Sequence, residues 1–554
     1  MKSIRIREVP SQAYARLMAE GVPPFLAKLM AARGLQSHAE INPELASLPD
    51  PLSIPGMAEA SSLLAKAIAQ KQPICIVADY DADGATACAV VYRTLLNLDA
   101  SVFYLVPNRF VDGYGLSPSL VARAQSLGAK VLLTVDNGIA SIEGVEKAKS
   151  LGLSVIITDH HLPAASLPKA NAIVNPKLSE NPLQLAGVGV AFYLMLDLRR
   201  LLRDQGYFQN KREPNLSSLL PLVALGTLAD LVPLDITNRT LVSAGLARMR
   251  TGKGVPIGIL VLLQQAGIRR EHIKANDIGF TLAPRINAAG RLDDMRIGIE
   301  LLCTDDPLQA QLLAARLNAF NRERRHIERN MTLALGDTNH LNAYALVFYH
   351  ESWHEGVVGL VASRLKEKAF RPVFAFAKGQ DGYLKGSGRS IPAFHLKDAL
   401  DAIAQRNPTL LLRFGGHAMA CGVTLKEEFF PLFCEALEKI AREHLTPTDL
   451  REIIQTDGSL GVEELLVENA RIIEQEVWGP HFPLPLFYDT FEVKTQRVVG
   501  HTQRFVLAKD GKHFDAVRFR HDTPLASQIN AVYSLASRHF SGVPTLELIL
   551  HDVL

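Results

Sequence analysis

The sequence of 554 residues is poor in cysteine. There are five, at Cys75, Cys88, Cys303, Cys421 and Cys434, and no Cys-x-x-Cys pair. An odd, scattered set excludes a disulfide framework and a cysteine zinc site, and leaves buried thiols in a reducing cytosol as the expectation. Net charge is scarce too: 59 Lys+Arg stand against 57 Asp+Glu, a formal +2. That excludes a histone-like polycation wrapped around nucleic acid. It does not exclude a local basic groove, since a sum hides distribution. No run reaches the ~18 apolar residues of a membrane-spanning helix. Residues 1–8 lack the apolar stretch of a secretory signal. The expectation is a cytoplasmic chain without membrane attachment. No repeat occurs at solenoid periods. What is present is ordinary globular composition, 48% hydrophobic and 21% charged, and a length that gives a prior of about three to four domains.

Residues 1 to 50 read as short helices broken by Pro10, Pro23, Pro24, Pro43 and Pro49. An alternation of strands and helices follows. Short apolar, β-rich runs lie at 74–79, 102–106, 131–136, 155–159 and 172–174, with helical segments at 84–97, 117–127 and 141–151. Apolar strands separated by helices predict a buried parallel sheet of the doubly wound type. Ligands in such sheets bind beyond the carboxyl ends of the strands. Residues 183–250 read as helical, interrupted at Pro221 and Pro233, and a helical stretch follows over 295–335. A second α/β unit opens at 343–349, with a helix at 356–368 and strands at 373–377 and 420–424. The last ~100 residues carry strand-like runs at 488–495, 504–509, 513–519 and 544–551, with Asp510-Gly511 as a hairpin signal between two of them. They predict a small β-barrel with a helical segment near 460–475.

Acidic residues collect where those first strands end. The first ends in Asp79-Tyr80-Asp81-Ala82-Asp83-Gly84, the third in Asp136-Asn137-Gly138, and the fourth in Asp159-His160-His161. A later loop holds Asp230. In a parallel sheet the first three clusters share one edge. Carboxylates so crowded repel one another unless cations neutralise them. Oxygen and imidazole ligands suit manganese, and magnesium to a lesser degree. The set is large enough for two ions ~3.5–4 Å apart, the arrangement that clamps both oxygens of a phosphoryl transfer. Taken singly, an Asp at a strand end is more often a helix cap or turn former. Three such tips on one edge favour the metal reading. Asp159 fits a histidine-orienting role better than a ligand role.

Asp159-His160-His161 together with 79–84 resembles the DHH phosphoesterase superfamily, and in its details the RecJ branch of bacterial single-strand-specific 5′ to 3′ DNA exonucleases. The resemblance covers nearly the whole chain. It includes Asn108-Arg109, Gly113-Tyr114-Gly115, residues 187–191, Ala283-Pro284-Arg285-Ile286-Asn287, Gly290-Arg291, Trp353-His354-Glu355-Gly356, Ser387-Gly388-Arg389-Ser390 and Gly415-Gly416-His417. It implies an α/β fold: a parallel-sheet DHH catalytic domain over 51–240 after an N-terminal helical segment of 1–50. A long helical linker (241–335), a smaller DHH-associated α/β domain (336–447) and an OB-like barrel (448–554) complete it. It implies Asp79, Asp81, Asp83, Asp136, His160 and Asp230 as ligands of two divalent ions, manganese or magnesium, with Asp136 bridging. His161 would contact the scissile phosphate or aid the reaction. Many superfamily members place a histidine where Val77 stands; here Asp79 appears instead, as in the RecJ branch.

A 5′ exonuclease must also hold the phosphates behind the strand end. Ser387, Gly388, Arg389 and Ser390 read as a Gly- and hydroxyl-rich loop with a guanidinium, suited to phosphate oxygens. Arg389 and His417 are the expected phosphate contacts, joined from the first domain by Arg109. An ion pair inside the loop and a helix cap are the plainer roles for Arg389 and His417. Arg285, Asn287 and Arg291 either line the groove or staple two domains, and His354 is read as structural. Arg316, Arg322, Arg324, Arg325 and Arg329 form either a solvated helix face paired with Glu323 and Glu328 or one wall of a positive channel. In the tail, Arg504, Lys509, Lys512, Arg518 and Arg520 interleave with Phe505, Phe514 and Phe519, an OB-type stacking pattern of which about half would be core. The expected activity is release of 5′ mononucleotides from single-stranded DNA by a monomer. The resemblance adds a single-strand-binding protein and a helicase as partners in repair and recombination. A phosphodiesterase of short oligonucleotides or cyclic dinucleotides is the alternative. A cleavage-inactive DNA-binding scaffold is the third reading.

Overall fold

The structure, a computed structural model, describes residues 2–107, 115–333, 343–379, 382–500, 502–519, 521, 523–540 and 543–554. It divides into two compact units. One comprises Ile6–Asn318 with Thr456–Leu554, the other Met1–Arg5 with Ala319–Gln455.

The first unit is built on a five-stranded sheet, in the order Val102–Leu105, Ile74–Ala78, Val131–Val135, Ser154–Thr158 and Ala172–Val174, with every neighbouring pair parallel. Ile74–Ala78 and Val131–Val135 are buried along their whole length, as strands covered on both faces must be. One face packs Cys75, Val77, Leu132, Val155 and Ile157 against Leu120, Val121 and Val145 of the crossover helices. The helix Ala82–Asn97 follows the first strand directly, because Asp81 caps it by accepting from Gly84 N at 3.0 Å. Helices Gly187–Asp204, Leu220–Asp230 and Ile236–Thr251 complete the layer. Pro221 does not interrupt this region. It sits in the first turn of Leu220–Asp230, where its missing N–H costs nothing. Asp230 therefore ends a helix rather than lying in a loop. The N-terminal segment is not wholly helical: Ser3–Ile6 is a strand, paired with Ile453–Thr456.

The C-terminal part of this unit is a closed five-stranded barrel: Phe487–Val499, Thr502–Lys509, Lys512–Phe519, Val543–Val553 and Gln528–Phe540 in spatial order. Asp510-Gly511 makes the expected two-residue turn, with Lys509 paired to Lys512. The strand Gln528–Phe540 escaped the sequence reading. Residues 531–535 are all buried, including Ser534 at 2%, so the strand shows no clean inside–outside alternation, and small and polar residues dilute its apolar signal. Phe505 fills the barrel at 3% exposure while Phe519 is 54% exposed. Lys509 is not a surface cation: its Nζ donates to the Asp489 carboxylate and to Leu460 O. Arg520 lies outside the described residues.

The second unit holds a mixed sheet in the order Arg413–Gly416, Ala420–Lys426, Tyr383–Arg389, Val373–Lys378 and Leu346–Tyr349. Only the last two strands are parallel to each other. Phe374, Phe376 and Phe433 form its core, the first and third in edge-to-face contact at 5.3 Å. In the helix Pro307–Leu333, Arg324 pairs with the buried Glu328 at 3.5 Å, and Arg364 also pairs with Glu328. Arg324 therefore belongs to the interior of this unit, while Arg322, Arg325 and Arg329 remain exposed. Among the described residues no helix is long and apolar enough to cross a membrane.

Candidate metal centre

Sheet register decides what stands at the strand tips. Ala78 pairs with Val135 and Val135 with Thr158, so Asp79, Asp136 and Asp159 follow in a row, one strand spacing (about 4.8 Å) apart. The ladder runs on for one further step. Asp136 N donates to Thr158 O at 3.0 Å and Asp159 N to Val174 O at 3.1 Å. The strand of Asp136 lies between the other two, which makes Asp136 the central carboxylate. Its backbone adopts φ +63°, and Asn137 stitches the turn by donating to Val77 O and Val135 O at 3.1 and 2.9 Å.

The other carboxylates are held by backbone amides. Asp79 accepts from Tyr80 N at 2.8 Å. Asp83 accepts from Gly187 N at 2.6 Å and Val188 N at 3.0 Å, the first amides of an 18-residue helix, whose positive end favours an anion. Residue 187 must be glycine, because a Cβ there would stand 2.4 Å from Asp136 Oδ1. The helix Ala283–Leu292 braces the acidic loop from outside. Asn287 Oδ1 accepts from Ala82 N at 2.8 Å. A Cβ on Gly290 would meet Tyr80 O at 1.9 Å.

The two histidines are handled differently. Asp159, 1% exposed, accepts from Ile139 N on one oxygen and from His160 N and His161 N on the other. That second oxygen also lies 2.7 Å from His161 Nδ1. Burial alone would push the Asp159 carboxyl up, but the hydrogen bond and charge of His161 overrule it and hold it below the usual range. Burial would likewise depress His161, yet Asp159 raises it to about 9. For His160 the balance runs the other way. Burial, then the charge of His161, pushes it down to about 3, which leaves a neutral imidazole with Nε2 3.1 Å from Asp136 Oδ1 and 3.6 Å from Asp230 Oδ2.

Three groups result in which ligand atoms lie within 4.8 Å of one another: Asp79, Asp81 and Asp136; Asp83, His160 and Asp230; and Asp136, His160 and His161. Burial, and then mutual repulsion, raises Asp79, Asp83 and Asp136 well above the carboxylate range and takes Asp230 up to about 6. A dry cluster with so much like charge is one that cations would relieve. Asp81 serves both readings of its position, as helix cap and as member of a ligand group.

The remaining sequence candidates fall in varied settings. Arg285 donates to Asn318 Oδ1 at 2.6 Å and to Thr281 O at 2.5 Å, and Arg291 shares its helix. Arg109 lies outside the described residues, as do Asn108, Gly113 and Tyr114. Ser387, Gly388 and Arg389 do not form a loop. They end the strand Tyr383–Arg389 in the second unit. Gly388 packs under a ring, since a Cβ would stand 2.5 Å from Phe374. Ser390, 1% exposed, donates its hydroxyl to Phe394 O at 2.6 Å. Its hydroxyl proton is thus engaged within the fold, and the loop expected over 387–390 is instead the end of a strand. Arg389 lies over the start of the helix Val358–Ala369, its Nη2 3.0 Å from where a Cβ on Gly359 would stand, with Ser387 Oγ at 3.5 Å from the same point. His417 closes the turn between two strands, its N donating to Ala420 O at 2.8 Å. His354 accepts from Gly356 N at 3.1 Å. The sequence reading missed the amides of Gly187 and Val188. Their signal was present, as a Gly-x-Gly opening a helix, the usual form of an anion site, with the chain's own Asp83 as the anion.

Comparison with known proteins agrees with this geometry. Residues 73–227 match the family model of the DHH family, N-terminal domain, 342–443 the DHHA1 domain and 456–552 the RecJ OB domain. The single-stranded-DNA-specific exonuclease RecJ of Escherichia coli (strain K12) is 43% identical over 574 residues, covering 100% of this chain and 99% of its own. A crystal structure of RecJ in complex with Mn2+ from Thermus thermophilus matches with a TM-score of 0.85 at 30% identity, covering 100% of this chain and 79% of that one. The corresponding Mg2+ complex matches at 0.79 and 30%, over 100% and 78%. With such identity along both whole lengths, and the three domain models in order, the chain belongs to the RecJ family of the DHH superfamily.

Proposed function

We propose that the chain is a metal-dependent exonuclease that degrades single-stranded DNA from the 5′ end and releases 5′ mononucleotides. The carrying observation is the cluster itself: ligand groups Asp79/Asp81/Asp136 and Asp83/His160/Asp230, with Asp136 and His160 3.1 Å apart between them. Two divalent ions, manganese or magnesium, would be held by these six side chains and would stabilise charge on the attacking and leaving oxygens of phosphodiester hydrolysis. Asp136, central in the row, is the bridging candidate. The neutral His160 offers a lone pair rather than a charge. His161 is the proton-bearing group at the opening, a third exposed, where Asp159 keeps it cationic and oriented toward a scissile phosphate. Arg389 and Ser387, beside a helix N-terminus, are phosphate-binding candidates, as are His417, Arg285 and Arg109. The barrel supports a polymeric substrate, because closed OB-type sheets offer a stacking surface for single strands. A single-strand-binding protein and a helicase are the partners to test.

Purified protein with Mn2+ should release 5′ mononucleotides from a single strand and spare a blunt duplex. Asp136→Ala should abolish release while the fold survives. Intact single strands at every metal concentration would overturn the reading. Equal turnover of dinucleotides and long strands would favour the short-oligonucleotide alternative.

A further inference from the structure

Phe280 is the most exposed large apolar side chain among the described residues, at 74%. It lies on a π-helical turn, Ile278–Leu282, that runs directly into the helix Ala283–Leu292. The turn sends Ile278 and Leu282 into the core at 0% exposure and leaves Phe280 outside. Such turns are rare and concentrate at functional sites. A single exposed apolar residue needs no explanation by itself; the position of this one does.

The segment packs on both sides against elements that carry the carboxylate cluster. Upstream, Gly279 lies against the helix that ends in Asp230, with 3.5 Å from where its Cβ would be to Leu228 O. Downstream, Asn287 accepts from Ala82 N, between Asp81 and Asp83, and Gly290 lies against Tyr80 O. Phe280 therefore stands on a segment that packs against the helix ending in Asp230 and against the backbone between Tyr80 and Ala82. Beside Asp230, Leu231 takes φ +63° and is 61% exposed, a left-handed conformation that costs a non-glycine residue energy. Leu231 thus adjoins a charged cluster whose own chemistry calls for phosphate, and Phe280 is carried by the segment that packs against that cluster's backbone. Phosphate oxygens need cations, but bases need flat apolar faces, and an aromatic ring is sequence-tolerant because every base has a π-face.

We infer that Phe280 is a substrate-positioning residue that stacks on a base of the single strand next to the scissile phosphate. The inference rests on the exonuclease reading and deepens it. The ring would hold the terminal nucleotides in register with the cluster and would have no such purchase on paired bases.

The test uses the full chain with Mn2+ and an oligothymidylate of about 20 nucleotides, longer than the ~4–16 that one OB fold covers. Phe280→Ala should raise KM roughly 5- to 150-fold, the range into which stacking of about 1–3 kcal/mol converts, with kcat at saturation within about twofold. Phe280→Tyr and Phe280→Trp should restore KM, and Phe280→Leu should not. Trp353 and Trp478 are buried at 4% and 5%, so the tryptophan of Phe280→Trp supplies the exposed emission. The oligothymidylate should quench it. An unchanged KM in Phe280→Ala, or full rescue by Phe280→Leu, would overturn the inference. Failure of the unmodified chain to degrade the strand would instead overturn the exonuclease reading.

Discussion

His161 Nδ1 lies 2.7 Å from Asp159 Oδ1, and the buried Asp159 takes three backbone amides besides. The carboxylate is thus anchored before the imidazole meets it. His161 inherits both an orientation and a charge, whereas the adjacent His160 stays neutral. Asp159→Asn removes the charge and keeps only one of the two amide-accepting oxygens. We expect kcat to fall roughly 10- to 100-fold, with the Mn2+ concentration for half-maximal activity nearly unchanged. A manganese titration of wild type and variant checks this. A parallel loss of manganese affinity would place Asp159 among the ligands.

Gly187→Ala tests how tightly the cluster is cast. In an exposed helix the change would be neutral or favourable. Here the new Cβ would stand 2.4 Å from Asp136 Oδ1, and the amide at this position also holds Asp83. Two carboxylates would have to shift. Activity should fall at least about tenfold, on the scale of other losses in support around a metal site. Manganese binding by calorimetry should weaken with it.

Arg33 and Asp457 test how the barrel is held. Arg33 Nη1 and Nη2 reach Asp457 Oδ1 and Oδ2 at 2.8 and 3.0 Å, with side-chain exposures of 1% and 3%. Arg33 Nε also donates to Pro483 O at 2.8 Å, and its guanidinium lies 5.0 Å from the Trp478 ring centre. Removing one member of a buried pair strands the other, at about 3–5 kcal/mol. Arg33→Ala and Asp457→Ala should each lower the urea midpoint accordingly. The double variant should lose less than their sum.

The carboxylate cluster was legible in the sequence because it puts charge where folding alone forbids it, at the ends of apolar strands. Asp79, Asp136 and Asp159 stood out for that reason, and parallel pairing brought them together. What holds them was not legible. The amides of Gly187 and Val188 carry no side-chain signal. Asn287 fitted two readings until its bond to Ala82 was seen. Gly388 and Ser390 looked like a phosphate loop by composition, yet one makes room for Phe374 and the other satisfies Phe394 O. Small and polar residues look alike in a sequence whether they face a ligand or the core. Strand Gln528–Phe540 was hidden for a related cause, since Ala531 and Ser534 are buried among its larger residues and blur the period-two pattern.

The carboxylate cluster sets a pH dependence that metal should reverse. Asp79, Asp83 and Asp136 are raised well above their unfolded values by burial and mutual repulsion, and Asp230 to about 6. Between the unfolded and the folded values the native state binds more protons than the unfolded chain. Stability of the metal-free protein therefore falls as pH rises through the raised values. His161, raised to about 9, acts in the same direction: its contribution is full below pH ~6.5 and lost as pH rises through 9. His160, lowered to about 3, acts in the opposite direction, but only below pH ~6.5. Above that pH the cluster has one sign. With chelator, Tm should drop between about pH 6.5 and 9. Mn2+ at about 100 times its Kd should add about 2.7 kcal/mol per site, and more at high pH, where no proton need be displaced. Asp136→Asn removes the central charge. Its metal-free form should be more stable than wild type in this window and should gain less from Mn2+, although it cleaves nothing. Thermal scans of both proteins, with chelator and with manganese, decide the point. A chelated wild type whose Tm does not move with pH would mean that the carboxylates are not repelling one another.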